Sequence, residues 1–125
     1  MLVPLENPAA TVKGEAPKFG KPILVDLDKR GMRSIDRAGD HYRIVAGPVA
    51  DTGKVALYRW SGWDGEKPAL IAVTVPPSMS PEAMIVLPGG AGVVLLSDDG
   101  VDYGIKCGSP GKATQKFRSL TVRNP

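Results

Sequence analysis

Short apolar runs separated by glycine and proline recur along the whole chain. The clearest two are Tyr42–Ala46 and Val55–Trp60, which are joined through a turn at Asp51-Thr52-Gly53. In Val55–Trp60 neither of the two alternating sets of side chains is purely polar, which is typical of a strand in a sheet covered on both faces. The pattern therefore predicts a central hairpin of two buried strands.

Runs of the same kind predict strands on both sides of this hairpin. They are Ile23–Leu27, Met32–Asp36, Ala69–Val75, Met84–Leu87, Val93–Ser97 and Lys116–Val122. Two of them have helical competitors. Ser80-Pro81-Glu82 is a helix-start signal before Met84, and a short helix over Ala113–Leu120 competes with the last strand. Residues 1–22 contain four prolines and no periodic pattern. They predict an extended lead-in before one domain at 23–125.

The predicted strands form an internal repeat. Val25 is followed 48 residues later by Val73, which is followed 47 residues later by Leu120. Each interval begins with a short strand and continues with a stronger one that runs into a turn. A period in the forties with about four strands per unit is typical of a β-propeller blade. The sequence predicts an all-β fold of about two four-stranded propeller-type blades plus an extra outer strand, with a small β-sandwich or barrel as the alternative.

A fold of only two blades would leave apolar surface exposed to water. A closed propeller uses at least about four blades, and a shorter stack exposes an apolar face and unpaired strand edges. We therefore expect a homo-oligomer that forms through exposed blade faces and strand edges. The alternative is that the chain is a fragment of a longer protein.

Composition and charge exclude several classes of binding partner. The net charge is +3 and no run of five like charges occurs, so neither a nucleic-acid arm nor a nucleic-acid partner is predicted. No apolar run approaches the length of a membrane span, and residues 1–22 lack the pattern of a signal peptide. We expect a cytoplasmic chain with no membrane partner. One cysteine, Cys107, excludes an intramolecular disulfide.

Several segments together resemble a bacterial family of uncharacterised proteins, the DUF3616 type. They are Gly39-Asp40-His41-Tyr42-Arg43-Ile44-Val45-Ala46-Gly47-Pro48, Leu57-Tyr58-Arg59-Trp60, Pro81-Glu82-Ala83 and Ser97-Asp98-Asp99-Gly100. The resemblance covers about Ile23 to Val122 and corresponds to the C-terminal part of such proteins. It implies a propeller-like fold and no particular activity.

The propeller interpretation makes Glu82 a candidate metal ligand. In lactonase- and phytase-like propellers a similar glutamate, at the start of an inner strand, can hold calcium, which prefers oxygen ligands. Asp98 and Asp99 add carboxylates that can complete such a site, with Asp36 as a weaker candidate. The simpler interpretations are that Glu82 caps its own turn and that the aspartates before Gly100 form a hairpin turn.

Three aromatic residues are candidates for ligand binding. Tyr58, Trp60 and Trp63 can form a stacking platform for a sugar or nucleic acid, although packing between blades is the alternative. His41 beside Asp40 is a weak candidate for a general base, because no nucleophile signature such as G-x-S-x-G is present. No catalytic residue is assigned.

The sequence therefore supports two functions. The first is a self-associating binding or scaffold module of unknown ligand, with no required cofactor. The second is a calcium-dependent phosphoesterase or lactonase-like hydrolase centred on Glu82.

Overall fold

The computed structural model of the chain describes residues 1–50, 53–99 and 117–123. In these residues, the fold is seven strands with one short α-helix, α1 at Pro8–Thr11, and a 3-10 turn at Pro88–Gly90. The strands are β1 Gly31–Ala38, β2 His41–Gly47, β3 Ala56–Trp60, β4 Ala69–Ile71, β5 Pro81–Val86, β6 Gly92–Ser97 and β7 Ser119–Arg123. The predicted all-β fold is confirmed.

The strands form two antiparallel sheets. Sheet 1 has the order β1-β2-β3-β4 and sheet 2 has the order β5-β6-β7. Each strand pairs with its neighbour in the chain, so both sheets are simple meanders. Within the described residues the sheets do not close into a barrel.

The two sheets pack face to face. From sheet 1, Val45 and Leu57 are almost fully buried against Met84, Val93 and Leu95 of sheet 2. We call these two surfaces the stacked faces. Burial of these side chains removes apolar surface from water on both sheets at once, and it stabilises their association.

The opposite face of sheet 1 is covered by the N-terminal segment. Ile44, Tyr58 and Trp60 on this face pack with the buried Leu27, and Ile23 and Val25 pack against the same cluster. The central strands β2 and β3 are therefore buried on both sides, as the mixed pattern of Val55–Trp60 predicts. We call this surface of sheet 1 the capped face.

The segment Ile23–Leu27 does not form the sheet strand that its apolar pattern predicts. Ile23 makes one isolated bridge with Leu2, and Asp28 and Lys29 then adopt left-handed backbone conformations. The alternating side chains of the segment point at the capped face, so it lies across the sheet and not along its edge. Alternation alone cannot separate these two placements, since both bury every second residue.

The other predicted strands lie close to their observed places. The helix-start signal at Ser80-Pro81-Glu82 is overruled, because Pro81–Val86 is strand β5. The strand predicted over Ala69–Val75 is shorter and ends at Ile71. The closing strand is Ser119–Arg123, while most of the competing helix over Ala113–Leu120 lies outside the described residues.

The lead-in predicted as extended folds back on itself. Leu5 forms an isolated bridge with Phe19. Between these residues, Asn7 accepts hydrogen bonds from Thr11 and from the Lys18 backbone N–H. No helix in the described part of the chain has both the length and the apolar character that a membrane crossing requires.

The first hairpin of each sheet contains a bulge. In β1 the register with β2 shifts between Met32 and Ser34, which leaves Arg33 as an extra, bulged residue. In β5 the register with β6 shifts between Pro81 and Ala83, which leaves Glu82 in the same position. The two hairpins therefore share a bulge, which bends the first strand locally. The three segments that the predicted repeat treats as equivalent are not equivalent in the fold, because Leu120 lies in β7, a strand of sheet 2, whereas Ile23–Leu27 lies across sheet 1 and Val73 follows the end of β4.

Candidate functional site

The two bulged residues bind each other. Arg33 Nη1 lies 3.1 Å from Glu82 Oε1, and both side chains are more than one-third exposed. A second contact joins the same strands, because the backbone N–H of Val86 donates to Asp36 Oδ2 at 3.4 Å. Both contacts advance in the same direction along the chain, so β1 and β5 lie side by side and run in parallel.

Gly47 makes room for this arrangement. A Cβ built on Gly47 would lie 3.0 Å from Arg33 Nε, and the Arg33 guanidinium also donates to the Pro48 carbonyl at 3.0 Å. The glycine of the Ile44-Val45-Ala46-Gly47-Pro48 segment therefore has a local steric role, which is to let the bulged arginine cross β2.

Asp98 and Asp99 lie at the same end of sheet 2 as Glu82. Pro81 is paired with Ser97, and the Asp98 N–H donates to the Ser80 carbonyl at 2.9 Å. The structure therefore brings the three predicted carboxylates to one region. Within the described ranges, however, no three His, Cys, Asp or Glu side chains are grouped closely enough to hold a metal ion. The calcium hypothesis stays a prediction.

Asp99 is bound by an arginine that the sequence did not single out. Arg118 Nη2 lies 2.6 Å from Asp99 Oδ1, and Arg118 Nε lies 2.9 Å from Oδ2. Asp99 also accepts from the Arg118 backbone N–H and from the Ser97 hydroxyl, both at 2.8 Å. The same guanidinium donates to the Ser78 carbonyl at 2.6 Å. The Asp99–Arg118 pair therefore links the end of β6 to the start of β7 and to the loop before β5.

The Asp99 pair makes stability depend on pH. Hydrogen bonds from Arg118 hold the pKa of Asp99 well below its usual value, against the opposing effect of burial. A carboxylate with a lowered pKa stabilises the fold above the pKa of the unfolded chain, about 3.9, and this stabilisation is lost as the pH falls below it.

We therefore expect the melting temperature of the parent chain to fall more steeply between pH 6 and pH 3 than that of Asp99→Asn. At pH 6 the variant should also melt several degrees lower, because Arg118 loses its charged partner. Thermal melts by circular dichroism across this range measure both effects. Ser78→Ala, which removes one Arg118 contact but no titrating group, should keep the steep dependence. Parallel curves for the parent and Asp99→Asn would contradict the assignment.

The predicted aromatic platform is mostly buried. Tyr58 and Trp60 have exposed fractions of 0% and 3%, whereas Trp63 is 76% exposed. Trp60 stacks at a tilt on Tyr42, with 5.7 Å between ring centroids, and its indole N–H donates to the Trp63 carbonyl at 3.3 Å. Ligand stacking at these residues stays a prediction, and Trp63 is the member with a ring open to a ligand.

The buried Tyr58 hydroxyl belongs to a polar network. It accepts from Arg30 Nη1 at 2.8 Å and lies 3.0 Å from Asp28 Oδ2. Lys67 Nζ binds the other Asp28 oxygen at 2.6 Å and Asp26 at 3.2 Å. Hydrogen bonds from Lys67 and Tyr58 lower the pKa of Asp28. The network ties the left-handed bend after Leu27 to sheet 1, which is a structural role.

His41 is oriented by its neighbour Asp40. The His41 Nδ1 atom lies 2.7 Å from Asp40 Oδ1, and this hydrogen bond lowers the pKa of Asp40. The His41 Nε2 atom is buried and has no hydrogen-bond partner among the described residues. A catalytic role for His41 stays unassigned.

Sheet 2 presents a surface of mixed aliphatic and polar side chains on the side away from sheet 1. Met84, Val93 and Leu95 point at the stacked face, so the residues that alternate with them point outward. In register these are Ala83, Leu96 and Ser119 in one row, Ile85, Val94 and Thr121 in the next, and Gly92 with the exposed Arg123 at the end of β7. Ile85 is 53% exposed. We call this surface the outer face.

Comparisons with known proteins do not add to this geometry. No family model, no curated protein and no solved structure matches the chain.

The cationic partners of the candidate carboxylates do not stand out in the sequence. Arg33, Arg118 and Lys67 each bind a carboxylate that lies 19 to 49 positions away in the sequence. Arg33 occupies in β1 the bulge position that Glu82 occupies in β5.

Proposed function

We propose that this chain is a propeller-type binding or scaffold module that associates with itself, with the ligand still to be identified. The proposal includes the resemblance to the DUF3616-type family, whose members it would resemble in fold. The observation that carries it is the exposed outer face of sheet 2, a surface equivalent to the one that sheet 1 buries.

The equivalence follows from the repeat. On sheet 1, Val45 faces sheet 2. Counted from the bulge, the position of Val45 is occupied in sheet 2 by Leu96, which points away from sheet 1. Sheet 1 thus buries its stacked face against another sheet. The outer face of sheet 2, which is the equivalent surface, has no sheet against it within the described residues.

Two further features support blades over an ordinary sandwich. The first strands of the two sheets, β1 and β5, lie side by side in parallel, as the innermost strands of neighbouring blades do. The segments that precede them also match. Ile23, Val25 and Leu27 pack on sheet 1, and Ile71, Val73 and Val75 pack between the sheets at the same spacing. Each segment crosses a sheet face before it enters the first strand.

Self-association is tested by light scattering after size exclusion. We expect the parent chain to elute as one discrete oligomer of its 13.2 kDa subunit. Ile85→Lys should dissociate it, because a lysine in the outer face places a charge in an apolar contact.

Leu70→Lys is the matched control for this variant. Leu70 is 62% exposed on β4, away from the outer face, so its lysine should leave the oligomer unchanged. A parent chain that is monomeric at every concentration would overturn the proposal. Equal dissociation by both lysine variants would overturn the assignment to the outer face.

A further inference from the structure

Trp63 lies in the turn that follows β3, and its side chain is largely open to water. It is 76% exposed, whereas Trp60 at the end of β3 is 3% exposed. Tryptophan is highly buried on average, and at binding surfaces it is among the residues whose loss costs most affinity. An exposed ring of this size is therefore a place to look for a ligand.

Hydrogen bonds fix the backbone of this turn. The Trp63 N–H donates to Ser61 Oγ at 3.1 Å, and the Trp63 carbonyl accepts from the Glu66 N–H at 3.2 Å. Gly62, with φ at +94°, lets the turn lie against Tyr42, because a Cβ at this position would come within 2.9 Å of the Tyr42 ring. The turn is thus ordered before any ligand arrives, which lowers the entropic cost of binding.

Two carboxylates flank Trp63 in the turn. Asp64 Oδ2 accepts from Lys21 Nζ at 3.2 Å, and Glu66 Oε2 accepts from the Ser61 hydroxyl. The second oxygen of each carboxylate has no hydrogen-bond partner among the residues that the structure describes. The Asp64 side chain is 50% exposed, and Glu66 is exposed. Both carboxylates can therefore accept hydrogen bonds from the hydroxyl groups of a ligand.

The charges around the turn favour a neutral ligand over nucleic acid. Lys21 is paired with Asp64, and Lys67, which follows the turn, binds Asp26 and Asp28. Binding of nucleic acid depends on cations that neutralise its phosphates, and carboxylates beside the ring repel them. An uncharged sugar suits the same groups, because the C–H face of a pyranose packs on an aromatic ring while its hydroxyls donate to carboxylates.

We infer that the turn at residues 61–66 binds an uncharged oligosaccharide, which stacks on the Trp63 ring and donates hydrogen bonds to Asp64 and Glu66. This rests on the proposed binding role, to which it adds the class of ligand, and it does not depend on self-association.

Calorimetric titration tests the class of ligand. The probes are cellohexaose, xylohexaose, mannohexaose and chitohexaose, with a thymidine oligonucleotide as the anionic comparison. We expect the parent chain to bind at least one of the sugars and to bind the oligonucleotide more weakly. No binding of any of the sugars at millimolar concentration, or tighter binding of the oligonucleotide, would overturn the inference.

Variants at the ring test the location of the site. Trp63→Ala should weaken sugar binding by about tenfold or more, and Trp63→Phe, which keeps a ring, should weaken it less. Leu24→Ala is the matched control, because Leu24 is also 76% exposed, and it should leave the affinity unchanged. Equal losses for Trp63→Ala and Leu24→Ala would contradict the site. A change in oligomeric mass in Trp63→Ala would instead place the ring in a contact between copies and overturn the inference.

Acrylamide quenching of tryptophan fluorescence locates the ligand without a variant. The chain has two tryptophans, and Trp60 is buried, so quenching reports mainly on Trp63. Bound sugar should reduce it, and unchanged quenching at saturating sugar would overturn the assignment even if Trp63→Ala fails to fold. A discrete oligomer that binds no sugar overturns this inference alone. A monomeric parent chain that binds sugar overturns self-association alone.

Discussion

Gly92→Ala is expected to destabilise the fold by about 3–4 kcal/mol, the largest effect of any single-methyl change proposed for this chain. Gly92 begins β6 with φ at +153° and is paired with Arg123. A Cβ built there would overlap the Val122 carbonyl oxygen and come within 3.0 Å of the Arg123 Cα. Both obstacles are backbone atoms, so they can move only if β7 separates from β6.

Gly90→Ala is the matched control. Gly90 also has a positive φ, at +71°, but a Cβ there meets nothing within 4 Å. Its substitution should lower the free energy of unfolding only by the cost of holding an alanine in the left-handed conformation, about 1–2 kcal/mol. Urea unfolding of the three proteins measures the difference. Equal losses for Gly92→Ala and Gly90→Ala would show that β7 does not approach β6 as described.

Leu57→Ala is expected to destabilise the fold by about 2–5 kcal/mol, through a cavity between the stacked faces. Leu57 is 1% exposed and packs in the cluster that includes Val93 and Leu95 of the other sheet. Loss of its side chain removes apolar contacts from both sheets. In the parent chain the two sheets should unfold in a single transition, because this cluster joins them.

Leu70→Ala provides the comparison with the same chemical change. Leu70 lies on β4 opposite Tyr58 and is 62% exposed, so its truncation should change the free energy of unfolding by about 0.5 kcal/mol or less. Chemical unfolding followed by circular dichroism, which reports on both sheets, gives both values. A small loss for Leu57→Ala, or two separate transitions in the parent chain, would contradict the packing of sheet 1 on sheet 2.

The candidate site was only partly predictable. Glu82, Asp98 and Asp99 could be named from the sequence because they stand at strand ends beside proline and glycine, and the structure does place them at one end of sheet 2. Their partners could not be named. A carboxylate beside a turn looks the same in a sequence whether it faces water, a metal ion or an arginine, and the Asp99–Arg118 pair forms only once β6 and β7 are in register.

The aromatic residues illustrate the same limit. Tyr58 and Trp63 stand near one another in sequence and differ completely in exposure, 0% against 76%. Tyr58 is buried because Leu27 and its neighbours cover sheet 1, and this covering segment precedes Tyr58 by about thirty positions. Alternation shows that two side chains share a face, but not what lies against it.

Local pattern determined the all-β class and most of the strands, because side-chain alternation and the backbone preferences of glycine and proline act within a few residues. Tertiary structure decided what covers each face. It laid Ile23–Leu27 across sheet 1 and stacked sheet 2 on the other side, and it left Ile85 and its neighbours facing outward. Those outcomes depend on contacts between residues distant in the chain, whose free energy no local pattern contains.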